Sequence, residues 1–216
     1  MSNVKFSAKA TKSQTAIVEA LKIRLDTHEA ASGKECKTLR ADIKSFESVS
    51  GLAIIDICLK KGLKLDDFIA NINVLDKSDD RHIAVKVITK IRQLMKAIAE
   101  NNARHLDGYT HSIVRNLLVN KSLTVFECER CLSTNIVNDG IDTFKLDETK
   151  KIIAYKNTAP STAETQSSST RMMLKLLDVC TTVKGQKDAT LTFNESAHAE
   201  LFLNMYAIDS TEPANA

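Results

Sequence analysis

Apolar residues recur at intervals of three and four over most of the first 130 positions, the spacing that gathers them on one face of a helix. Ile17, Val18, Leu21 and Leu25 predict a helix over 12–27, and Leu39, Ile43 and Phe46 predict a second over 34–46. Positions 51–61 are apolar around most of the circumference, through Leu52, Ile54, Ile55, Ile57, Cys58 and Leu59, which predicts burial at the centre of a bundle. Phe68, Ile69, Ile72 and Leu75 mark a fourth helix over 66–75. The longest is expected after Asp79 and Asp80, whose charges suit the positive end of the helix dipole, and runs to Asn101 on the stripe Ala84, Val87, Ile88, Ile91, Leu94, Met95 and Ile98. Thr11 with Gln14, Ser32 with Glu35 and Thr124 with Glu127 have the spacing of capping boxes.

Beyond Gly108 the segments shorten. Positions 112–119 and 124–132 read as two short helices around a turn at 121–123, which is helix-turn-helix spacing. Gly140 then precedes two alternating runs, 141–146 and 151–156, that predict a β-hairpin. Two helices followed by a hairpin resembles the element order of winged-helix folds, an analogy of order alone over about 50 residues. Positions 157–171 are rich in serine and threonine and are expected to be a linker or loop. It would divide a helical body with a terminal hairpin, 1–156, from a small helix-hairpin-helix unit, 172–216, with strands at 179–184 and 189–193 around Gly185. The expected class is mainly α: a helical bundle with two small β-hairpins and an α+β C-terminal unit.

A chain of 216 residues with 43% hydrophobic content can bury a core without disulfides or metal. Its five cysteines are an odd set with no framework spacing, so no structural disulfide is expected. The longest apolar run, 52–59, is interrupted by Asp56 and falls far short of the roughly 20 residues of a membrane span. No apolar signal core occurs near the start, and a cytoplasmic location without membrane attachment is the expectation.

Charge changes the picture most. Between Arg81 and Lys121 stand eight bases, Arg81, Lys86, Lys90, Arg92, Lys96, Arg104, Arg115 and Lys121, against two acids, Glu100 and Asp107. Elsewhere acids outnumber bases, so the net charge of +3 is a local surplus. On the long helix, His82, Lys86 and Lys90 share an arc with Arg92 and Lys96 at its edge, a cationic rod about 22 Å long. Arg104, His105, Tyr109, His111 and Arg115 extend it with groups able to stack on bases, and Lys5, Lys9 and Lys12 place further charge near the N-terminus. The expected function is a non-enzymatic nucleic-acid-binding accessory protein acting in replication, transcription or regulation. Single-stranded DNA or RNA is the favoured ligand. Lys86, Lys90, Arg92, Lys96, Arg104, Tyr109, Arg115 and Lys121 would be the contact residues. The alternative is a helical structural or adaptor protein that oligomerises, or docks an acidic protein partner, with 172–216 as a docking arm.

Motifs for chemistry are weak. Cys128 and Cys131 form a lone C-x-x-C inside a predicted helix, without the second pair a structural zinc site needs. His198 and Glu200 match the H-x-E of zinc deaminases, but no Pro-Cys-x-x-Cys follows. Phosphate-binding glycine loops, His-Glu-x-x-His and Gly-x-Ser-x-Gly are absent. No catalytic residue, cofactor or metal is expected.

Overall fold

The computed structural model describes residues 5–133, 152–155, 158–184, 189–194, 200–201 and 204–206. Helix α1 (Ala8–Ser32) is capped by Ser7, whose hydroxyl accepts from the Ala10 amide while donating to the Asp56 carboxylate at 2.6 Å. The expected Thr11–Gln14 box is not what starts it. Gln14 instead donates to the carbonyls of Phe46 and Ser48, tying α1 to the next turn. Gly33, at a φ of 62°, ends α1 in the left-handed conformation that glycine adopts without steric cost. Helix α2 (Lys37–Glu47) follows, its entry held by Glu29 rather than by a Ser32–Glu35 box.

Helix α3 (Val49–Lys60) begins at Ser48 and approaches α2 so closely that a Cβ on Gly51 would lie 2.3 Å from the Ser45 carbonyl oxygen. Contrary to the expectation of central burial, α3 sits on α1, α2 and α5 by its Gly51, Ile55 and Cys58 side only. Val49 is 75% exposed and Ile57 39%. The helix is apolar around most of its circumference, but too few helices surround it to cover the outer side.

After the short helix α4 (Asp66–Ile72), α5 runs Val85–Glu100; it starts later than expected and, with 16 residues against 25 in α1, is not the longest helix. The buried guanidinium of Arg24 is the reason: it takes the carbonyl oxygens of Ile72, Val74 and Ile83 and faces His82. Those carbonyls are thereby diverted from helix formation, and residues 73–84 form turns, with Ile83 plugged into the core. Asp79 caps the turn before Arg81 instead of a helix. Phe68, Ile72, Ile83, Ile88, Ile91 and Leu94 join Ile17, Leu21, Leu39 and Ile55 in a wholly buried centre.

A 3-10 turn (Ala103–His105) leads to α6 (Gly108–Asn120), strand β1 (Ser122–Thr124) and α7 (Val125–Arg130). The Thr124–Glu127 capping box is formed, with both reciprocal bonds present. The expected turn at 121–123 is instead largely strand. Helix α8 (Pro160–Leu176) then precedes β2 (Cys180–Lys184) and β3 (Ala189–Phe193). The three strands make one antiparallel sheet in the order β1-β3-β2, with Leu123 opposite Leu191 and Cys180 opposite Phe193. The second expected hairpin is thus found, and β1 extends it.

Two boundaries change. The serine- and threonine-rich stretch expected as a linker at 157–171 forms most of α8, which packs on α5, α6 and α7. Pro160 fits the first turn, where its missing amide hydrogen costs nothing, and Ala163, Ser167, Thr170, Leu174 and Leu177 line its buried side. The first expected hairpin lies mainly outside the described residues, and its described part, 152–155, has no strand. Among the described residues the protein is mainly helical, with this one small sheet, and no helix is long and apolar enough to cross a membrane.

Candidate nucleic-acid interface

Helix α5 does not present a bare cationic rod. Lys90 is 4% exposed, and its ammonium donates to both Asp107 oxygens at 2.8 and 3.0 Å and to the Thr110 hydroxyl at 2.9 Å. Burial pulls its pKa down, against the raising effect of Asp107. Arg92 donates from Nε to Asp42 at 2.6 Å, and Asp42, 1% exposed, also accepts from Thr89. Lys96 lies 4.0 Å from Glu100, which also meets His105 at 2.5 Å. His82 is in the turn against Arg24, and burial followed by that cation pushes its pKa down. Lys86 alone of the five rod cations stands exposed without an ion pair among the described residues.

Asp42 from α2, Asp107 just beyond α5 and Glu100 at its end account for the change. Periodicity could place Lys90 on the polar face of its own helix, but not the N-terminus of α6 beside it. Asp107 holds that N-terminus by accepting the amides of Tyr109 and Thr110, so Lys90 is a strut between α5 and α6.

Around α6 the expected residues are partly assembled. Arg115 is exposed at a cleft of about 520 Å3 whose walls include His111, Val119, Ile153 and Tyr155. Asn116 pins the far wall: its amide donates to the Ile153 carbonyl and its oxygen accepts the Ile153 amide, both at 2.8 Å. Tyr155 packs over Gly108 and meets the Tyr109 ring edge-on at 5.6 Å. Tyr109 is therefore engaged in packing, half-buried, rather than standing out as a stacking platform. The Tyr206 hydroxyl lies 3.1 Å from His111 Nδ1. Lys121 is exposed just before β1, in the left-handed conformation at a φ of 65°, and Arg104 is exposed on the 3-10 turn.

Most of helix α8 lies where the composition resembles a linker. Its outer face carries Ser161, Glu164, Thr165, Ser168 and Lys175, all exposed, with Met172 half-buried among them. The signal that could have found it is the recurrence of small or apolar residues at Ala163, Ser167, Thr170, Leu174 and Leu177, a four-three spacing that hydroxyl residues can satisfy when the neighbouring helix comes close. Thr165 and Ser169 return their hydroxyls to backbone carbonyls of their own helix, as such residues do inside helices.

Cys128 and Cys131 are both buried, and burial is the first cause that raises the Cys131 thiol pKa. None of the five cysteines is joined in a disulfide, and among the described residues no three His, Cys, Asp or Glu side chains are placed to hold a metal ion. His198 lies outside the described residues.

Fold and surface together define a mainly helical protein whose second half, from Gly108, packs two short helices, one longer helix and a three-stranded sheet onto a common core. No protein-family model, curated protein or solved structure matches the chain.

Proposed function

We propose that the chain is a non-enzymatic nucleic-acid-binding protein that docks through α8 and the β2–β3 hairpin, in the manner of a winged helix. The observation that carries this reading is topological. The order α6, β1, α7, α8, β2, β3, with the sheet arranged β1-β3-β2, puts one helix directly before a hairpin whose inner strand pairs with the strand between the first two helices. In that arrangement α8 is the helix offered to a groove and the hairpin is the wing. One departure is evident: residues 131–159 join α7 to α8, where a compact helix-turn-helix uses three or four.

Surface chemistry supports the same assignment. An α-helix fits the major groove of duplex DNA, and serine or threonine hydroxyls can donate to or accept from any base edge. Ser161 and Ser168 supply such groups on one exposed stripe of α8 that also carries Glu164, Thr165 adds an acceptor while its hydroxyl donates to the Ser161 carbonyl, and Lys175 supplies a phosphate contact at its end. Of the contact residues expected from sequence, Arg115 and Lys121 are the exposed ones in this unit. The reading therefore moves from a single strand held by α5 to a duplex held by α8, because three of the α5 cations already have carboxylate partners.

Fluorescence anisotropy with labelled duplex, single-stranded DNA and RNA at several salt concentrations tests it. Duplex should bind best, with a log–log salt slope of about −2 to −3 for the two or three phosphates that Arg115, Lys121 and Lys175 can neutralise. Thr165→Asp and Ser168→Asp should each weaken binding at least tenfold, while Lys86→Gln changes it little. Equal affinity for duplex and single strand, or indifference to the α8 substitutions, would overturn the assignment.

A further inference from the structure

We propose that the uncovered face of α3 is a self-association surface that pairs two copies of this chain, antiparallel, about a two-fold axis near Ala53. This inference stands apart from the nucleic-acid reading. Val49, Ala53 and Ile57 follow one another at four-residue spacing, so at 100° per residue they drift by 80° and form one stripe, with Ser50 beside it. Val49 and Ile57 are exposed and Ala53 half-buried, and the opposite side of α3 is the side sunk in the core. Between Ser48 and Leu59 the single charged residue is Asp56, which is buried and held by Ser7.

A second copy fits this face better than an unlike partner because the face is complementary to itself. Glu47 lies at the N-terminal end of α3 and Lys60 at its C-terminal end, both more than half exposed. Turning a second α3 through a two-fold at Ala53 sets Val49 against Ile57 of the other copy. It also brings the Lys60 end of each helix to the Glu47 end of the other. Such a contact is isologous, with each residue pair made twice. Small residues at the crossing, Ala53 and Ser50, allow the helix axes to approach closely. Glu47 is paired with Lys22 at 2.7 Å and Lys60 with Asp56 at 2.6 Å. Both pairs lie at the surface on the Glu47 and Lys60 sides, and Asp56 keeps its two bonds from Ser7 when Lys60 turns to a new partner.

Sedimentation velocity on the full chain, from low micromolar to several hundred micromolar, is the test. Wild type should show a monomer–dimer equilibrium. Val49→Asp and Ala53→Glu should each shift its dissociation constant at least tenfold toward monomer with an unchanged far-UV circular dichroism spectrum, since Val49 makes little contact within one chain. Glu47→Lys and Lys60→Glu should each weaken the homodimer, and mixing the two variants should give a heterodimer tighter than either, because both end contacts then join opposite charges. Monomer at every concentration would overturn the proposal. So would a dimer that survives Val49→Asp, or charge variants that show no preference for each other.

Discussion

Lys90 tests whether the basic surplus between residues 81 and 121 is a binding face or internal structure. In Asp107→Ala the Lys90 ammonium, 4% exposed, keeps only the Thr110 hydroxyl as a partner. Orphaning a buried charge costs about 3–5 kcal/mol, and losing the cap on α6 adds about 1 kcal/mol. In Lys90→Met the carboxylate left behind is 26% exposed and keeps the amides of Tyr109 and Thr110 and the Thr110 hydroxyl. That loss should be about 1–2 kcal/mol. At about 2–4 °C per kcal/mol for a chain of this size, Asp107→Ala should lower Tm by roughly 10–20 °C and Lys90→Met by only a few degrees. pH supplies a sign as well. Burial already holds the Lys90 pKa below that of an exposed lysine, and without Asp107 it falls further, so the unfolded chain binds the extra proton. Stability of Asp107→Ala should therefore rise from neutral pH toward the ordinary lysine range of about 10.4, narrowing its deficit. Thermal melts across pH, read beside duplex binding, decide the matter. Lys90→Met should leave the salt slope of binding unchanged, because Lys90 meets Asp107 and not a phosphate, and a variant whose slope fell while its Tm held would refute the strut.

Thiol titration under native conditions should find one fast-reacting cysteine, the half-buried Cys36, because Cys58, Cys128, Cys131 and Cys180 are buried and burial pushes the Cys58 pKa up to about 12. Gly108→Ala should destabilise the protein, since the added Cβ would lie 2.2 Å from the Tyr155 hydroxyl, and in a Tyr155→Ala background the same change should become neutral or stabilising, as alanine favours helix. A double-mutant cycle in urea reads the coupling. Asp56 has a pKa lowered first by the Lys60 bond and then by Ser7, so its contribution should be complete above the ordinary carboxylate range of about 4 and be lost as pH falls below it. Ser7→Ala should shrink that acid-sensitive part of the stability curve.

Helix positions were legible wherever one face meets one core. The seven helices from α1 to α7 and the β2–β3 hairpin lie where apolar spacing put them, because periodicity reports which residues of a segment turn inward. What periodicity cannot report is the partner. Arg24 looks like a surface cation on α1, yet it ends up beneath the turn that delays α5. Asp42 and Asp107 neutralise α5 from elements 50 and 17 residues away in sequence. Only the last turns of α8, from Met172, were legible: the buried positions before them hold Ser167, Ser169 and Thr170, small hydroxyl residues that pack against α5 and α6 and carry little hydrophobic signal.

The polar seam that hid α8 is also what fixes its direction. Lys90 from α5, Asp107 and Thr110 from α6, and Thr170 from α8 meet in one chain of contacts, with the Thr110 and Thr170 hydroxyls 3.3 Å apart. An oily seam would let α8 slide along its neighbours, since apolar contacts have no preferred register. Directional bonds to a buried ion pair allow one register. Lys90, one of the cations that suggested an electrostatic surface in the sequence, thus helps to hold α8 at a set angle on the bundle, with Ser161, Thr165 and Ser168 on its outer side. If α8 is the element that meets the groove, the contribution of α5 to recognition is orientation. Thr170→Val should then loosen duplex affinity through a faster off-rate, without changing the salt slope set by Lys121 and Lys175.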